Sequence, residues 1–205
     1  MKNGEKFNSI TQYIGTVAAL VGMVLLVVFA AQQGEWIKII SFTIYGLSLL
    51  LIYVLSSLYH SIDGKRKYFF KKLDHCAIYI LIAGTYTPFT LVTLKGILGW
   101  TLFGINWGLA ILGIVLDILP QKGRRIVPIV IYLIMGWLIV IVIKPLLKVL
   151  PEPGFLLLFL GGIFYTGGIL FYVFDKKVRH FHGVWHLFVM GGSLCHYLTI
   201  FIYVL

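Results

Sequence analysis

The sequence predicts an all-α integral membrane protein with seven transmembrane helices, its N-terminus in the cytoplasm and its C-terminus outside. The first of three supporting observations is composition. Of the 205 residues, 60% are hydrophobic and only 12% are charged, whereas soluble domains carry about 25% charged residues. The second is a series of seven apolar segments, each close to the ~20 residues that a helix needs to cross the hydrocarbon core. The third is the distribution of lysine and arginine among the loops.

The seven segments follow one another with short connections, so we predict a single transmembrane domain over residues 1–205. The first segment loosely resembles a signal peptide. Its polar start is too long for one and its apolar run is long enough to span, so we interpret it as a helix. There is no alternation of the membrane-barrel kind. The predicted spans are residues 13–31, 36–60, 73–93, 98–119, 127–144, 155–174 and 183–203.

The charges orient these spans. With the N-terminus inside, the inner segments hold 13 of the 17 lysines and arginines and the outer segments hold four, as the positive-inside rule requires. A net charge of +10 would indicate nucleic acid binding in a soluble protein. Here the charges lie in loops that meet acidic headgroups, so we expect membrane lipids and no nucleic acid as partners. Cys76 and Cys195 lie at different depths, so we predict no disulfide.

Two histidines at the start of the last span suggest a metal site. His182 and His186 are spaced i and i+4, which places them on one face of a helix. His60 ends the second span at the same inner depth. Three imidazoles are typical of catalytic zinc, whose fourth position stays open for water. We therefore predict zinc as the cofactor and His60, His182 and His186 as its ligands, although imidazole also suits iron and copper.

Two further polar residues share this depth. Asp74 begins the third span and could hold or deprotonate a zinc-activated water, and Ser56 lies one turn before His60 on the same face. We predict these two as catalytic residues. The prediction requires that spans two, three and seven pack together. The alternative is that His182 and His186 are merely hydrated residues at the membrane interface.

The remaining polar residues of the spans are interpreted as structural. His75 points about 100° away from its neighbour Asp74, and His180 lies solvated in a basic loop. His196 is about 15 Å deeper than His186, and we expect it to hydrogen-bond within the bundle. For Asp117 we prefer an interfacial position, in which the side chain snorkels, over membership of a polar network.

Four motifs, taken together and in this order, resemble the bacterial hemolysin III family, which belongs with the progestin and adiponectin receptors. They are Ser56-Ser-Leu-Tyr-His60, Leu73-Asp74-His75, Ile82-Ala-Gly-Thr-Tyr-Thr-Pro-Phe89 and His182-Gly-Val-Trp-His186. The resemblance runs from about residue 5 to residue 203. It implies seven helices and a zinc ion near the cytoplasmic face, held by residues matching the three histidines. The matching aspartate contacts the ion through water, and the matching serine lies close by.

The resemblance also carries one departure and several functional expectations. The N-terminal motif of the family usually has a histidine where this chain has Gln12. The receptors are linked to hydrolysis of ceramide-like amides, and roles in lipid and fluidity homeostasis are proposed for bacterial members. The name of the family reflects a cytolytic activity.

We therefore expect a zinc-dependent, ceramidase-like hydrolase of lipid amides or esters in the bacterial inner (plasma) membrane. The alternatives are a non-catalytic sensor or scaffold with structural zinc, and a pore-forming cytolysin. The few charges within the spans argue against a pore.

Overall fold

The computed structural model describes residues 3–119, 125–175 and 177–205, and helices dominate them. Seven helical stretches in this part of the chain are long and apolar enough to cross a membrane, which confirms the predicted all-α, seven-helix membrane fold; the N-in orientation stays a prediction. No strand occurs within the described ranges. The α-helices are α1 (Asn3–Gln33), α2 (Trp36–Ser61), α3 (Arg66–Pro88), α4 (Gly96–Ile118), α5 (Ile126–Trp137), α6 (Ile143–Leu147), α7 (Glu152–Phe174) and α8 (Phe181–Tyr203).

Two helices extend well beyond their predicted spans, because hydropathy detects only the apolar part of a helix. The first helix begins at Asn3 rather than at residue 13, and the third at Arg66 rather than at residue 73. The backbone hydrogen bonds of a helix continue into water, where polar side chains are tolerated. The basic residues between positions 66 and 72 therefore lie on the first two turns of α3 and not in a loop.

The fifth span is interrupted, although the sequence predicts one uninterrupted helix over 127–144. A 3₁₀ segment, Leu138–Val142, separates α5 from α6. The Tyr86 hydroxyl donates a hydrogen bond to the Gly136 carbonyl and accepts one from the Ile139 N–H, both at 2.8 Å. A side chain that inserts into the backbone hydrogen-bond ladder in this way is a known cause of helix kinks.

The third span changes its winding at a proline. Pro88 has no N–H to donate, and a π-helical segment, Phe89–Leu94, follows it. One turn earlier, Gly84 packs directly against Ser48 of α2, and a Cβ at position 84 would overlap the serine side chain. The Gly84–Pro88 stretch therefore combines a close contact with α2 and a change of helical winding.

The spans close into a ring in which α1 packs on α2 and α8, α2 on α3, α3 on α4, and α7 on α5 and α8. The third span is the most enclosed, and both cysteines are free thiols. We call the end where α2, α4 and α7 finish and α3, α5 and α8 begin the basic end of the bundle. It carries the basic α2–α3 connection, and the predicted site residues lie there.

Candidate metal centre

Three histidines converge at the basic end. His60 lies in the last turn of α2, and His182 and His186 lie in the first two turns of α8. One ring nitrogen from each lies within 4.8 Å of the others. The Nε2 atoms of His60 and His186 are 3.0 Å apart, and both residues are buried, with 2% and 5% of their surfaces exposed. His60 of α2 thus meets the histidines of α8, which is one part of the packing of spans two, three and seven that the prediction required.

The donor set fits a zinc ion. Zinc–nitrogen bonds of 2.0–2.1 Å in a tetrahedral arrangement separate two ligand nitrogens by about 3.3 Å. The observed 3.0 Å between the Nε2 atoms of His60 and His186 is close to that value. The three ring centroids lie 4.7–5.2 Å apart and the ring planes are inclined by 63–90°. No two of these rings are therefore stacked face to face.

An acidic residue that the sequence analysis missed orients one ligand. Asp175, in the α7–α8 connection, places its Oδ2 atom 2.9 Å from Nδ1 of His182. A carboxylate that accepts a hydrogen bond from the N–H at one ring nitrogen leaves the other nitrogen available to a metal, and such pairs are common around zinc. The sequence did contain a signal for Asp175, because this acid lies in a short connection at the depth of His182. A search for residues at helical spacing does not find it, because it lies outside both helices.

The two predicted catalytic residues also lie here. Asp74 is half-buried and borders the same cavity as the histidines. Ser56 is 3% exposed, and its hydroxyl hydrogen-bonds to the Asp74 carboxylate, which also lies close enough to His182 for an electrostatic interaction. The structure therefore brings all five predicted site residues together, while their roles remain predictions.

A second polar cluster lies beside the first and corrects the interpretation of Asp117. This residue does not snorkel to the interface: it is 6% exposed and forms an ion pair with Arg125. The same guanidinium donates a hydrogen bond to Nδ1 of His75, and Tyr132 donates one to the His75 carbonyl. Burial lowers the pKa of Arg125 and the Asp117 hydrogen bond raises it, with a net rise above its ordinary value. Arg125 therefore stays charged and joins three spans.

The other two histidines match their interpretations. His180 is exposed. His196 lies within the bundle, where its Nε2 is 3.1 Å from the Leu158 carbonyl oxygen, as predicted. Gln12, at the position where the family usually has histidine, is 2% exposed on α1. Asn8, one turn earlier, borders the cavity.

A cavity of about 930 Å³ gives access to the histidines from the basic end. Its walls combine polar groups of α3 and α8 with apolar side chains of α3, α5, α7 and α8. The apolar lining residues include Ile78, Ile129, Val173 and Trp185. Ligand cavities typically enclose about 300–1,000 Å³, so this space can hold a lipid-sized molecule next to the three histidines.

Comparison with known proteins identifies the family to which this chain belongs. A family model described as "Haemolysin-III related" matches residues 1–197. The chain belongs to the haemolysin-III-related family. It is 48% identical over 200 residues to "Hemolysin-3 homolog" of Bacillus subtilis, covering 97% of this chain and 93% of that one. It is 45% identical to "Hemolysin-3" of Bacillus cereus, covering 98% and 92%.

More distant relatives of this haemolysin-III-related chain occur in animals. It is 28% identical over 203 residues to the human "Monocyte to macrophage differentiation factor", covering 96% of this chain and 82% of that one. The family and the seven apolar helices together identify a multi-pass membrane protein. The three-histidine cluster is compatible with a bound metal ion.

Proposed function

We propose that this haemolysin-III-related protein is a zinc-dependent hydrolase in the bacterial plasma membrane. It would cleave an amide or ester bond of a membrane lipid at the basic end of the bundle. The observation that carries the proposal is the convergence of three imidazoles and one carboxylate on a cavity with apolar walls. Such an enzyme would serve the composition and fluidity of the membrane.

His60, His182 and His186 would hold the ion. Zinc, when bound, lowers the pKa of a coordinated water to about 7 and polarises a carbonyl oxygen. The Asp74 carboxylate borders the cavity next to His182, so it can accept a proton from a water molecule there. It can then return that proton to the departing amine or alcohol.

The neighbouring side chains position these groups. The Ser56 hydroxyl fixes the Asp74 carboxylate through its hydrogen bond and is a candidate donor to the carbonyl oxygen of the substrate. Asp175 fixes the ring of His182. The apolar wall, which includes Ile78 and Ile129, can bind an acyl chain and keep bulk water away from the reacting carbonyl.

The number of ligands favours catalysis over a purely structural ion. In the described part of the chain the ligand group has three side chains, whereas structural zinc sites have four. The three histidines also border the cavity, which a purely structural ion would not need. A cytolytic role rests only on the names of the family and of its two Bacillus relatives, and no feature of the described residues favours it.

The first experiment measures zinc by mass spectrometry on untagged, detergent-purified protein. We expect one zinc per chain in the parent and in His196→Ala, which changes a half-buried histidine outside the cluster. We expect little zinc in His60→Ala. Equal zinc in His60→Ala and the parent would refute the site.

The second experiment measures hydrolysis of lipid amides and esters by the zinc-loaded protein. Asp74→Asn is expected to keep the ion and to lose hydrolysis by about 10²–10⁴-fold, the usual contribution of general acid–base catalysis. Turnover at the parental rate in Asp74→Asn would exclude the proposed role of this carboxylate.

A further inference from the structure

The mouth of the cavity carries basic side chains that the proposed reaction does not use. Lys71 on α3 and Lys177 and Arg179 in the α7–α8 connection border it. Lys177 and Arg179 are exposed, so a ligand that arrives from the membrane surface can reach them. We call Lys71, Lys177 and Arg179 the basic rim.

The acidic side chains of the cavity are engaged by other groups. Asp175, in the same connection as two of the rim residues, is bonded to His182. Asp74 is hydrogen-bonded to a serine of α2. Within the residues that the structure describes, no carboxylate lies at ion-pair distance from Lys177 or Arg179. Lys177 and Arg179 therefore present positive charge to an incoming ligand, whereas Lys71 interacts with Asp74.

The cavity changes character below the rim. Apolar side chains of four helices line it there, among them Ile78, Ile129, Val173 and Trp185. A molecule that satisfies both zones has an anionic group at one end and a hydrocarbon chain at the other. When such a molecule spans both zones, its middle lies beside the three histidines, which border the same cavity.

We propose that the basic rim binds the phosphate group of an anionic membrane lipid whose acyl chain lies along the apolar wall. The inference rests on the proposed function in one respect: it makes the substrate of the hydrolase a phosphate-bearing lipid amide or ester. Each lysine or arginine close to an anionic headgroup strengthens binding about fivefold. The two exposed side chains, Lys177 and Arg179, therefore distinguish a phosphate-bearing lipid from its neutral counterpart by about thirtyfold.

The test uses Trp185, which lies in the cavity wall, as the reporter. The probes are a lysophosphatidic acid and a monoacylglycerol with the same brominated acyl chain, added to the protein in a neutral detergent. Bromine quenches tryptophan fluorescence at short range, and subtracting the quenching seen in Trp185→Phe isolates the cavity. We expect the phosphate-bearing probe to bind about thirtyfold more tightly than the neutral probe.

Charge variants assign this preference to the rim. Lys177→Gln/Arg179→Gln is expected to weaken binding of the phosphate-bearing probe about thirtyfold and to leave the neutral probe unchanged. Lys144→Gln/Lys148→Gln removes two exposed charges near the other end of the bundle and should change neither. Equal binding of the two probes, or equal weakening by the two double variants, would overturn the inference. Displacement by inorganic phosphate at the concentration of the lipid would assign the rim to free phosphate instead.

The inference about lipid binding and the proposal of a hydrolase can be refuted independently. If no lipid is hydrolysed but binding still depends on the rim, the lipid site stands and the hydrolase is refuted. If a neutral lipid amide is hydrolysed while both probes bind equally, the hydrolase stands and the inference about phosphate is refuted.

Discussion

Replacing Asp175 by alanine is predicted to weaken zinc binding without abolishing the site. The carboxylate does not belong to the ligand group. Its Oδ2 atom lies 2.9 Å from Nδ1 of His182, with which it forms a hydrogen bond. Without this acceptor, the ring of His182 is free to rotate and can place its proton on either nitrogen. A metal then has to select one orientation and one tautomer from several, which reduces its affinity.

The size of the effect follows from the exposure of the pair. Loss of a partner that orients a metal ligand typically lowers affinity by 10–100-fold. The side chains of His182 and Asp175 are 27% and 19% exposed, so water can replace part of the lost hydrogen bond. We therefore expect the lower limit, about tenfold or about 1.4 kcal/mol. Asp175→Asn, which keeps an acceptor oxygen but no charge, should lose less.

The assay is competition for zinc between the purified protein and a chelator of known affinity at fixed pH. Glu152→Gln is the matched control, because it removes an exposed acid at the other end of the bundle, and its dissociation constant should equal that of the parent. His182→Ala should lose far more affinity than Asp175→Ala. An unchanged constant in Asp175→Ala, or a loss as large as that of His182→Ala, would refute the orienting role.

Two further predictions concern stability in detergent. Arg125→Leu leaves the Asp117 side chain, which is 4% exposed, as an unpaired buried carboxylate, so the free energy of unfolding should fall by about 3–5 kcal/mol. The double variant Arg125→Leu/Asp117→Leu should recover most of that loss. If the single and double variants lose the same free energy of unfolding, the ion pair is not responsible. Gly99→Ala brings a Cβ against the Thr90 carbonyl and should lower the thermal midpoint, whereas Gly104→Ala meets nothing within 4 Å and should be neutral or stabilising by up to about 1 kcal/mol. Equal midpoints for the two variants would contradict this packing.

The sequence was sufficient for the fold class and for the membership of the three-histidine cluster. Burying backbone in hydrocarbon requires long apolar helices, so hydropathy located all seven spans. The depth of a residue follows from its distance to the end of its span, so the sequence places His60, His182 and His186 in one layer of the membrane. Helical spacing put the last two on one face. These are local or one-dimensional properties of the chain.

Sequence reasoning failed where the outcome depended on lateral neighbours. Asp117 has the same depth whether it faces the interface or the bundle, and only the packing of α4 beside Arg125 shows that it faces inward. The interruption of the fifth span likewise depends on Tyr86, which is 50 residues from its carbonyl partner in sequence. Neither partner could be found from spacing along one helix.

The sequence by itself therefore determined which residues cross the membrane, how deep each polar side chain lies and which histidines share a helix face. The tertiary structure alone decided that α2, α3 and α8 meet at the basic end and that Asp175 reaches His182. It also decided that the histidines open onto a cavity with a basic rim. The rotation and neighbours of each helix result from the close packing of many side chains distant in sequence. No single segment contains that information.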